Sequence, residues 1–143
     1  MSKLIQRLLF CLVIPALSWS ANAELVVIVN LQNPLQTITD RQLSDLYLGR
    51  TRHFQNGDIA VALEHPRDSE LRKMFFNSIN GMPIRQVNSY WARLQFSGEV
   101  QPPAVMASSR MVKEKISQMR YGIGYIDSSD VDQSVKVIQR LNK

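Results

Sequence analysis

Apolar residues follow two different periods along the chain, and these periods predict strands that alternate with helices. Leu25 to Leu31 is a continuous aliphatic run and Ile59 to Leu63 is a shorter one; both are typical of strands buried on two faces. After the second run, apolar residues recur at helical spacing, which predicts an amphipathic helix. The positions predicted to face the core from that helix are Leu71, Met74, Phe75 and Ile79.

Capping and turn residues mark two further helices. Thr39 can cap a helix that runs through Tyr47 and stops at Gly49, and Asn56-Gly57 marks a turn before the second strand. Pro83 opens a third helix, because its missing N–H costs nothing at a first helical position. The apolar face of this helix comprises Ile84, Val87, Trp91 and Leu94.

The last third of the chain repeats the alternation. Ala104 to Met106 is short and apolar, Ser108 or Ser109 can cap a fourth helix, and Gly122 to Ile126 and Val135 to Leu141 are typical of strands. Strands alternating with helices indicate an α/β layer structure with a largely parallel sheet. The residues predicted to contribute to its core are Val27, Val29, Val61, Leu63, Phe75, Trp91, Leu94, Ile116, Ile123 and Tyr125.

The N-terminus has the layout of a secretory signal peptide. Lys3 and Arg7 precede the apolar run Leu8 to Leu17, and Ala21 to Ala23 is a small-x-small cleavage site. The apolar run is too short to span a bilayer. We therefore predict that residues 1–23 are removed on export.

Residues 24–143 are predicted to form one domain, exported to the periplasm of a Gram-negative type cell and not inserted in the membrane. The chain contains a single cysteine, Cys11, which lies in the signal peptide, so a disulfide, a thiolate metal site and a cysteine nucleophile are excluded from the mature domain.

Charge gives a weaker indication of partners than the net value of the whole chain suggests. That value is +5, but the signal peptide holds two of the seventeen basic residues and no acidic one, so fifteen basic and twelve acidic residues leave the mature domain at +3. No run of Lys and Arg is interleaved with aromatic residues, which argues against nucleic acid as a partner. The mild positive bias is compatible with a small anionic ligand.

The turn between the second strand and its helix has the composition of an anion site. Pro66 ends the extended run, and Asp68 and Ser69 are both natural N-caps for the helix that follows. Free N–H groups and the positive end of the helix dipole would face the turn. The neighbouring groups that can carry positive charge are His65, Arg67 and Arg72. The alternative is a cap that only satisfies the first N–H groups of the helix.

Four segments, in order and spacing, resemble the phosphate-binding subunit of bacterial phosphate ABC transporters, a type II periplasmic substrate-binding protein. They are the series Thr39 to Gly49, the turn Asn56-Gly57, the strand, turn and helix that contain Ser69 and Phe75, and the closing strand Gly122 to Ile126. The likeness covers nearly all of the mature chain and mainly the second lobe of that family. It implies a single three-layer lobe, with a largely parallel sheet flanked by helices.

The resemblance also implies where a ligand would bind. The family's second lobe contributes an Arg and then a Ser-Gly-Thr at a helix N-terminus. In this chain Ser69 matches the Ser, Glu70 and Leu71 replace the Gly and Thr, and His65 stands at the position of the Arg. Because Glu70 is a carboxylate and Leu71 lacks a hydroxyl, the departure weakens the case for a dianion.

Two arginines of the same segment can compensate for these replacements. Arg67 or Arg72 could hold an oxyanion through bidentate hydrogen bonds. The ligand-binding residues predicted from the resemblance are therefore Ser69, Arg67, His65, Arg72 and Glu70.

Other chemistry is poorly supported by the sequence. His53 and His65 belong to different elements with no third ligand, so no metal site is predicted. Asp127, Asp130 and Asp132 alternate in a loop, but the loop glycine and closing Glu of a calcium site are missing. No nucleophile accompanies an acid and a base, so neither catalytic residues nor a cofactor are predicted.

Two functions remain open from the sequence. The first is a periplasmic module that binds phosphate or a related oxyanion weakly through a helix N-terminus, in phosphate uptake or sensing, with an inner-membrane transporter or sensor protein as its partner. The second is a protein-interaction or sensor-accessory module that keeps this fold with a vestigial ligand cleft.

Overall fold

The computed structural model describes residues 23–141. Cys11 and all of the predicted signal peptide except Ala23 lie outside the described residues. Removal of the signal peptide therefore stays a prediction. Within the described residues, no helix combines the length and hydropathy needed to cross a membrane.

This part of the chain contains five strands and four α-helices, with α3 following α2 directly and a short 3-10 helix at Ser128–Asp130 between the last two strands. The elements are β1 (Leu25–Asn30), α1 (Asp40–Tyr47), β2 (Val61–Glu64), α2 (Glu70–Asn80), α3 (Ile84–Ser97), β3 (Ala104–Val105), α4 (Ser109–Gln118), β4 (Gly122–Asp127) and β5 (Val135–Arg140).

The strands form one mixed sheet in the order β3-β2-β4-β1-β5. β2 pairs in parallel with β3 and with β4, whereas β1 pairs antiparallel with β4 and with β5. The α/β fold is confirmed, but the expectation of a largely parallel sheet holds only for the half that contains β3, β2 and β4. An aliphatic run buried on both faces fits either direction, which is why the sequence pattern of β1 did not reveal its antiparallel pairing.

Helices cover both faces of the sheet, so the predicted three-layer arrangement is confirmed. Val27 and Val29 of β1 face a core built with α1, α2 and α3, and the intervening Val26 and Ile28 face α4. The first core is aromatic: the rings of Phe75 and Tyr125 stack with centroids 3.9 Å apart, and Tyr47 packs edge-on against both. The second core is aliphatic and has a single helix over it.

Local signals set the helix ends as expected. The Thr39 side chain accepts the Gln42 N–H at 3.1 Å while the Gln42 side chain accepts the Thr39 N–H at 2.9 Å, a reciprocal cap at the start of α1. Ser108, rather than Ser109, caps α4. Gly81 ends α2 in the left-handed conformation that a residue without a side chain adopts readily.

Several expectations about burial need correction. The second strand begins at Val61 rather than Ile59, and these side chains are 36% and 52% exposed. Ile59 instead pairs with His53 in an isolated bridge outside the sheet. In α2 Phe76 is fully buried along with the predicted Phe75, whereas Met74 is 36% exposed. Leu94 is only partly buried against the core. Leu71 and Ile84 are also only partly buried, and the other residues predicted to face the core are buried.

Gly124 of β4 allows α4 to lie directly on the sheet. A Cβ at this position would be 2.5 Å from Val112 Cγ1 of α4, far inside van der Waals contact. Because close packing leaves no room for an added methyl group, a residue with a side chain at Gly124 would push α4 away from the strand that ends at the candidate site.

Candidate functional site

The turn that joins β2 to α2 is closed by Ser69. Its N–H donates to the Pro66 carbonyl at 3.0 Å, and its Oγ accepts the Arg72 N–H at 3.2 Å, which makes Ser69 the N-cap of α2. Because Oγ accepts in this bond, the hydroxyl proton remains available to a ligand. The Glu70 side chain is largely solvent-exposed and pairs with Lys73 Nζ at 2.9 Å.

A second helix N-terminus lies across from the first. Ser108 Oγ accepts the Met111 N–H at 3.2 Å and caps α4, and the adjacent Ser109 Oγ accepts the Asp127 N–H at 3.2 Å. α4 follows β3 just as α2 follows β2. The first N–H groups of both helices lack partners within their own helix, as they do in any α-helix.

The two N-termini border one open cleft of about 430 Å³, which we call the Ser69 cleft. It lies beyond the carboxyl ends of the adjacent parallel strands β2 and β3, whose helices leave for opposite faces of the sheet. Ligands of open α/β sheets bind where the connections diverge in this way. The cleft is lined by His65, Pro66, Ser69, Leu71, Ala107, Ser108, Ser109, Arg110, Asp127 and Asp130.

Side-chain charge in the Ser69 cleft is mixed. Arg110 supplies a guanidinium, but its Nε donates to Glu114 at 3.1 Å. Asp127 and Asp130 place two carboxylates on the same cleft. The positive potential available to an anion there comes from the two helix N-termini more than from side chains.

A buried polar cluster supports the Ser69 turn from beneath. The Glu64 carboxylate accepts the backbone N–H of His65 at 3.0 Å and the hydroxyl of Tyr125 through the same oxygen, Oε1. Its other oxygen, Oε2, lies 3.4 Å from Arg72 Nε in a buried ion pair. Burial raises the pKa of Glu64, and hydrogen bonding from Tyr125 and the charge of Arg72 offset this only in part.

Arg72 ties three elements together around the turn. Besides its pairing with Glu64, its Nη1 donates to the Arg67 carbonyl at 3.2 Å and to Asn88 Oδ1 of α3 at 2.7 Å. The guanidinium therefore clamps the backbone of the turn. Since its exposed fraction is only 6%, removing it would leave buried acceptors without a donor.

His65 lies between the Ser69 cleft and the buried cluster. Its Nε2 is 2.7 Å from the Tyr125 carbonyl, and because a carbonyl only accepts, Nε2 carries the proton. Burial lowers the pKa of His65. A neutral imidazole follows at pH 7, so the residue at the position of the family's Arg brings no positive charge to the cleft.

The structure separates the five predicted ligand residues. Ser69 and His65 line the Ser69 cleft. Arg67 and Arg72 line a second, smaller cleft of about 170 Å³ together with Glu64, and we call it the Glu64 cleft. Glu70 is exposed beside Lys73 and lines neither cleft.

Five residues at the start of α4 and at or just after the end of β4 line the Ser69 cleft and were not predicted as part of a site. They are Ser108, Ser109, Arg110, Asp127 and Asp130. The signal that could have identified Ser108 is its place after β3, since parallel strands bring their carboxyl ends to one edge of a sheet. No group of three or more potential metal ligands occurs among residues 23–141.

Comparison with known proteins confirms the predicted resemblance at the level of the fold. No protein-family model and no curated protein matches the sequence. Solved structures do match. An ABC-type phosphate transport receptor from Vibrio cholerae superposes with a TM-score of 0.64 at 22% identity, over 82% of this chain and 46% of that one.

Two further structures agree. A protein from Clostridium perfringens, described as a phosphate ABC transporter substrate-binding protein with bound phosphate, gives a TM-score of 0.64 at 20% identity over 82% of this chain and 44% of that one. PstS from Borrelia burgdorferi gives 0.60 at 14% identity, over 81% of this chain and 46% of that one. The chain thus spans less than half the length of these proteins and has the fold of one lobe.

Proposed function

We propose that this domain binds a small oxyanion, phosphate or a relative of it, weakly in the Ser69 cleft. The observation that carries the proposal is the convergence of α2 and α4, two helices that begin at the same cleft with Ser69 and Ser108 as their N-caps. Backbone N–H groups and dipoles at helix N-termini favour anions without a dedicated cation.

In this proposal the ligand is held by hydrogen bonds, most of them from uncharged donors. N–H groups of the first turns of α2 and α4 donate to the anion, and the hydroxyls of Ser69 and Ser108 add two donors because their oxygens already accept a cap bond. Arg110 lines the cleft, and Arg67 is exposed on the adjoining turn. Either guanidinium can turn toward an anion in solution.

Affinity is expected to be low for two reasons. Asp127 and Asp130 repel an anion in the cleft. A single lobe also leaves the ligand half solvated, whereas good small-molecule sites bury most of the ligand surface. A dissociation constant around 1 mM, about −4 kcal/mol, follows.

The biological setting is proposed from the signal peptide and the fold. The mature domain would act in the periplasm, as a non-enzymatic component of phosphate uptake or sensing beside an inner-membrane transporter or sensor. Support comes from the structural neighbours, which include a phosphate transport receptor and a phosphate-bound protein.

An alternative function is favoured by one observation on α3. Phe96 is 97% exposed there, and exposed aromatic groups are enriched in protein interfaces. In this alternative the domain is an interaction or sensor-accessory module, and its oxyanion cleft is vestigial.

Calorimetric titration of the purified protein with phosphate tests the proposal. Glu70→Gln, which removes a carboxylate from the first turn of α2 and keeps its length, should strengthen binding by at most about 1 kcal/mol, because one charge that repels the anion is lost. Glu99→Gln, an equal change of charge at an exposed position after α3, is the matched control and should have little effect. Arg67→Ala should weaken binding.

The outcomes separate the two functions. Tight binding that is indifferent to both Glu70→Gln and Arg67→Ala would move the site elsewhere. No detectable binding of phosphate, sulfate or a carboxylate would leave the interaction module as the better account.

A further inference from the structure

The Ser69 cleft carries charge of both signs, and its negative groups serve no purpose for a bare phosphate. The N-termini of α2 and α4 supply the positive potential, and the carboxylates of Asp127 and Asp130 supply the negative charge. The volume of about 430 Å³ lies in the range of sites for small organic molecules and exceeds what a tetrahedral ion fills. The cleft therefore has room for a ligand with a second, oppositely charged group.

Neither carboxylate of the cleft is neutralised by a cation among residues 23–141. The Asp130 side chain has no hydrogen bond or ion pair there. Asp127 Oδ1 accepts the N–H and the hydroxyl of Ser129, at 3.0 Å and 2.9 Å, and both donors are uncharged. Arg110, which lines the same cleft, is paired with Glu114 at 3.1 Å. The place beside the two carboxylates is thus open to a cationic group of a ligand.

Two buried polar side chains at the same cleft each have one unused hydrogen-bonding group. Ser109 is 7% exposed; its Oγ accepts the Asp127 N–H, and its hydroxyl proton has no acceptor among the described residues. His65 is 2% exposed, and its Nε2–H donates to the Tyr125 carbonyl, which leaves Nδ1 as an acceptor without a donor in the described part of the chain. Because buried polar groups are nearly always paired, these two side chains indicate a ligand that brings both an acceptor and a donor. An oxyanion supplies the first and an ammonium group supplies the second.

We propose that the ligand of the Ser69 cleft is a zwitterion, a phosphate ester or phosphonate whose short chain ends in an ammonium group; this inference rests on the proposed function. The oxyanion lies at the N-termini of α2 and α4, where the hydroxyls of Ser69, Ser108 and Ser109 add donors. A phosphoryl group has more terminal oxygens for these donors than a carboxylate has. The ammonium group lies beside Asp127 and Asp130, so that the carboxylates attract the ligand instead of only repelling it.

NMR titrations of the purified protein compare O-phosphoethanolamine with ethyl phosphate, which differs from it in lacking the ammonium group. We expect both esters to shift the backbone amides of Glu70 and Ser109 in a saturable way. Phosphoethanolamine should bind about threefold to tenfold more tightly, as expected for one ammonium group near two solvent-exposed carboxylates. β-Alanine, which carries a carboxylate in place of the phosphate, should bind more weakly than phosphoethanolamine.

Asp130→Asn tests the ammonium subsite, because it removes a charge and keeps the size of a side chain that makes no contact to be lost. The variant should bind phosphoethanolamine more weakly and ethyl phosphate more tightly, so that the ratio of their dissociation constants shrinks by about twofold to fivefold. Asp58→Asn makes the same change of charge beside the Asn56-Gly57 turn, outside the cleft, and should leave the ratio unchanged.

The outcomes separate this inference from the proposed function. Equal affinity for the two esters, or a ratio that Asp130→Asn does not change, would overturn the zwitterion and leave a simple oxyanion site. Ethanolamine that binds as tightly as phosphoethanolamine would also overturn it, because the helix N-termini would then contribute nothing. The absence of saturable shifts with either ester would overturn both the zwitterion and the proposed function.

Discussion

The two clefts that meet at His65 are built on opposite principles. The Ser69 cleft, about 430 Å³, is open and offers neutral donors: helix N–H groups and the hydroxyls of Ser69 and Ser108. The Glu64 cleft, about 170 Å³, is smaller and contains a buried ion pair, Glu64 with Arg72. The Ser69 cleft is lined by mostly uncharged donors, whereas the Glu64 cleft contains an ion pair whose charges offset each other.

This difference determines which role each arginine near the turn can have. Arg72 lies on the Glu64 side, where its guanidinium binds a carboxylate and the Arg67 carbonyl. It contributes to the Ser69 cleft only by fixing the backbone of the turn. Counting cations in the sequence therefore overstates the positive charge of the Ser69 cleft, and in the proposed function the helix termini supply the attraction for an oxyanion.

Glu64→Ala should have one of the largest effects on stability. The change leaves the Arg72 guanidinium buried without its counter-charge and removes the acceptor of two hydrogen bonds. Breaking a buried pair in this way costs about 3–5 kcal/mol in the free energy of unfolding. Urea denaturation measures it, and Arg67→Ala, at an exposed side chain, is the control expected to fall within about 0.5 kcal/mol of wild type. A small loss for Glu64→Ala would mean that the ion pair is solvated.

Trp91→Ala should cost a similar amount, about 3–5 kcal/mol, because it empties a large buried aromatic site. Trp91 is 6% exposed, and its indole N–H donates to the Tyr47 carbonyl at 3.2 Å. Since Trp91 walls the Glu64 cleft and not the Ser69 cleft, phosphate binding should survive in the folded fraction. Thermal melts that show no loss of stability would place Trp91 at a surface in solution.

Ser69→Ala and Ser108→Ala should each cost about 1 kcal/mol of stability, the usual value of an N-cap. Each serine accepts one N–H of the first turn of its helix, from Arg72 and Met111 respectively. Both variants should also weaken phosphate binding, which separates them from Thr39→Ala, a cap of α1 outside the cleft. If the three variants bind phosphate equally well, the serine hydroxyls do not contact the ligand.

The smallest predicted effect is the pH dependence of the free energy of unfolding that arises from Glu64. Burial raises its pKa above the ordinary 4.5, so the folded protein holds this proton more tightly than the unfolded chain. Its contribution to stability is complete below pH 4.5 and is lost as the pH rises through the folded-state pKa.

Glu64→Gln removes this titration and leaves that of His65 in place. The free energy of unfolding of wild type minus that of the variant should therefore fall between pH 4 and pH 8, measured by urea denaturation at each pH. A difference that rises with pH would show that the pKa of Glu64 is lowered by Arg72 instead.

Local signals made much of the fold predictable. The reciprocal cap at Thr39 and the caps at Ser69 and Ser108 rest on contacts within three residues, so sequence spacing identifies them. The antiparallel pairing of β1 and the exposure of Val61 depend on which strand becomes a neighbour in the sheet. That is a long-range property, and alternation of apolar and polar residues does not report it.

For the candidate site too, the sequence predicts the contacts between neighbouring residues and not the contacts between distant ones. The cap at Ser69 could be found because a strand, a turn and a helix follow one another in the chain. The partners of Glu64 could not be found from the sequence, because the Tyr125 hydroxyl belongs to a strand 61 residues away. Ser108 and Asp127 reach the cleft through the packing of β3 and β4 beside β2. Without a register for the sheet, neither the cleft nor its carboxylates could be assembled from the sequence.

Phosphate titration followed by NMR tests most directly the claim that an oxyanion binds between two helix N-termini. The account predicts saturable shifts of the amide N–H groups of Glu70 and Leu71 on α2 and of Ser109 and Arg110 on α4, with a dissociation constant around 1 mM. Both helices should respond with the same midpoint. Shifts confined to one helix, shifts only at Glu64 and Asn88, or no saturable shift at any of these amides would contradict it.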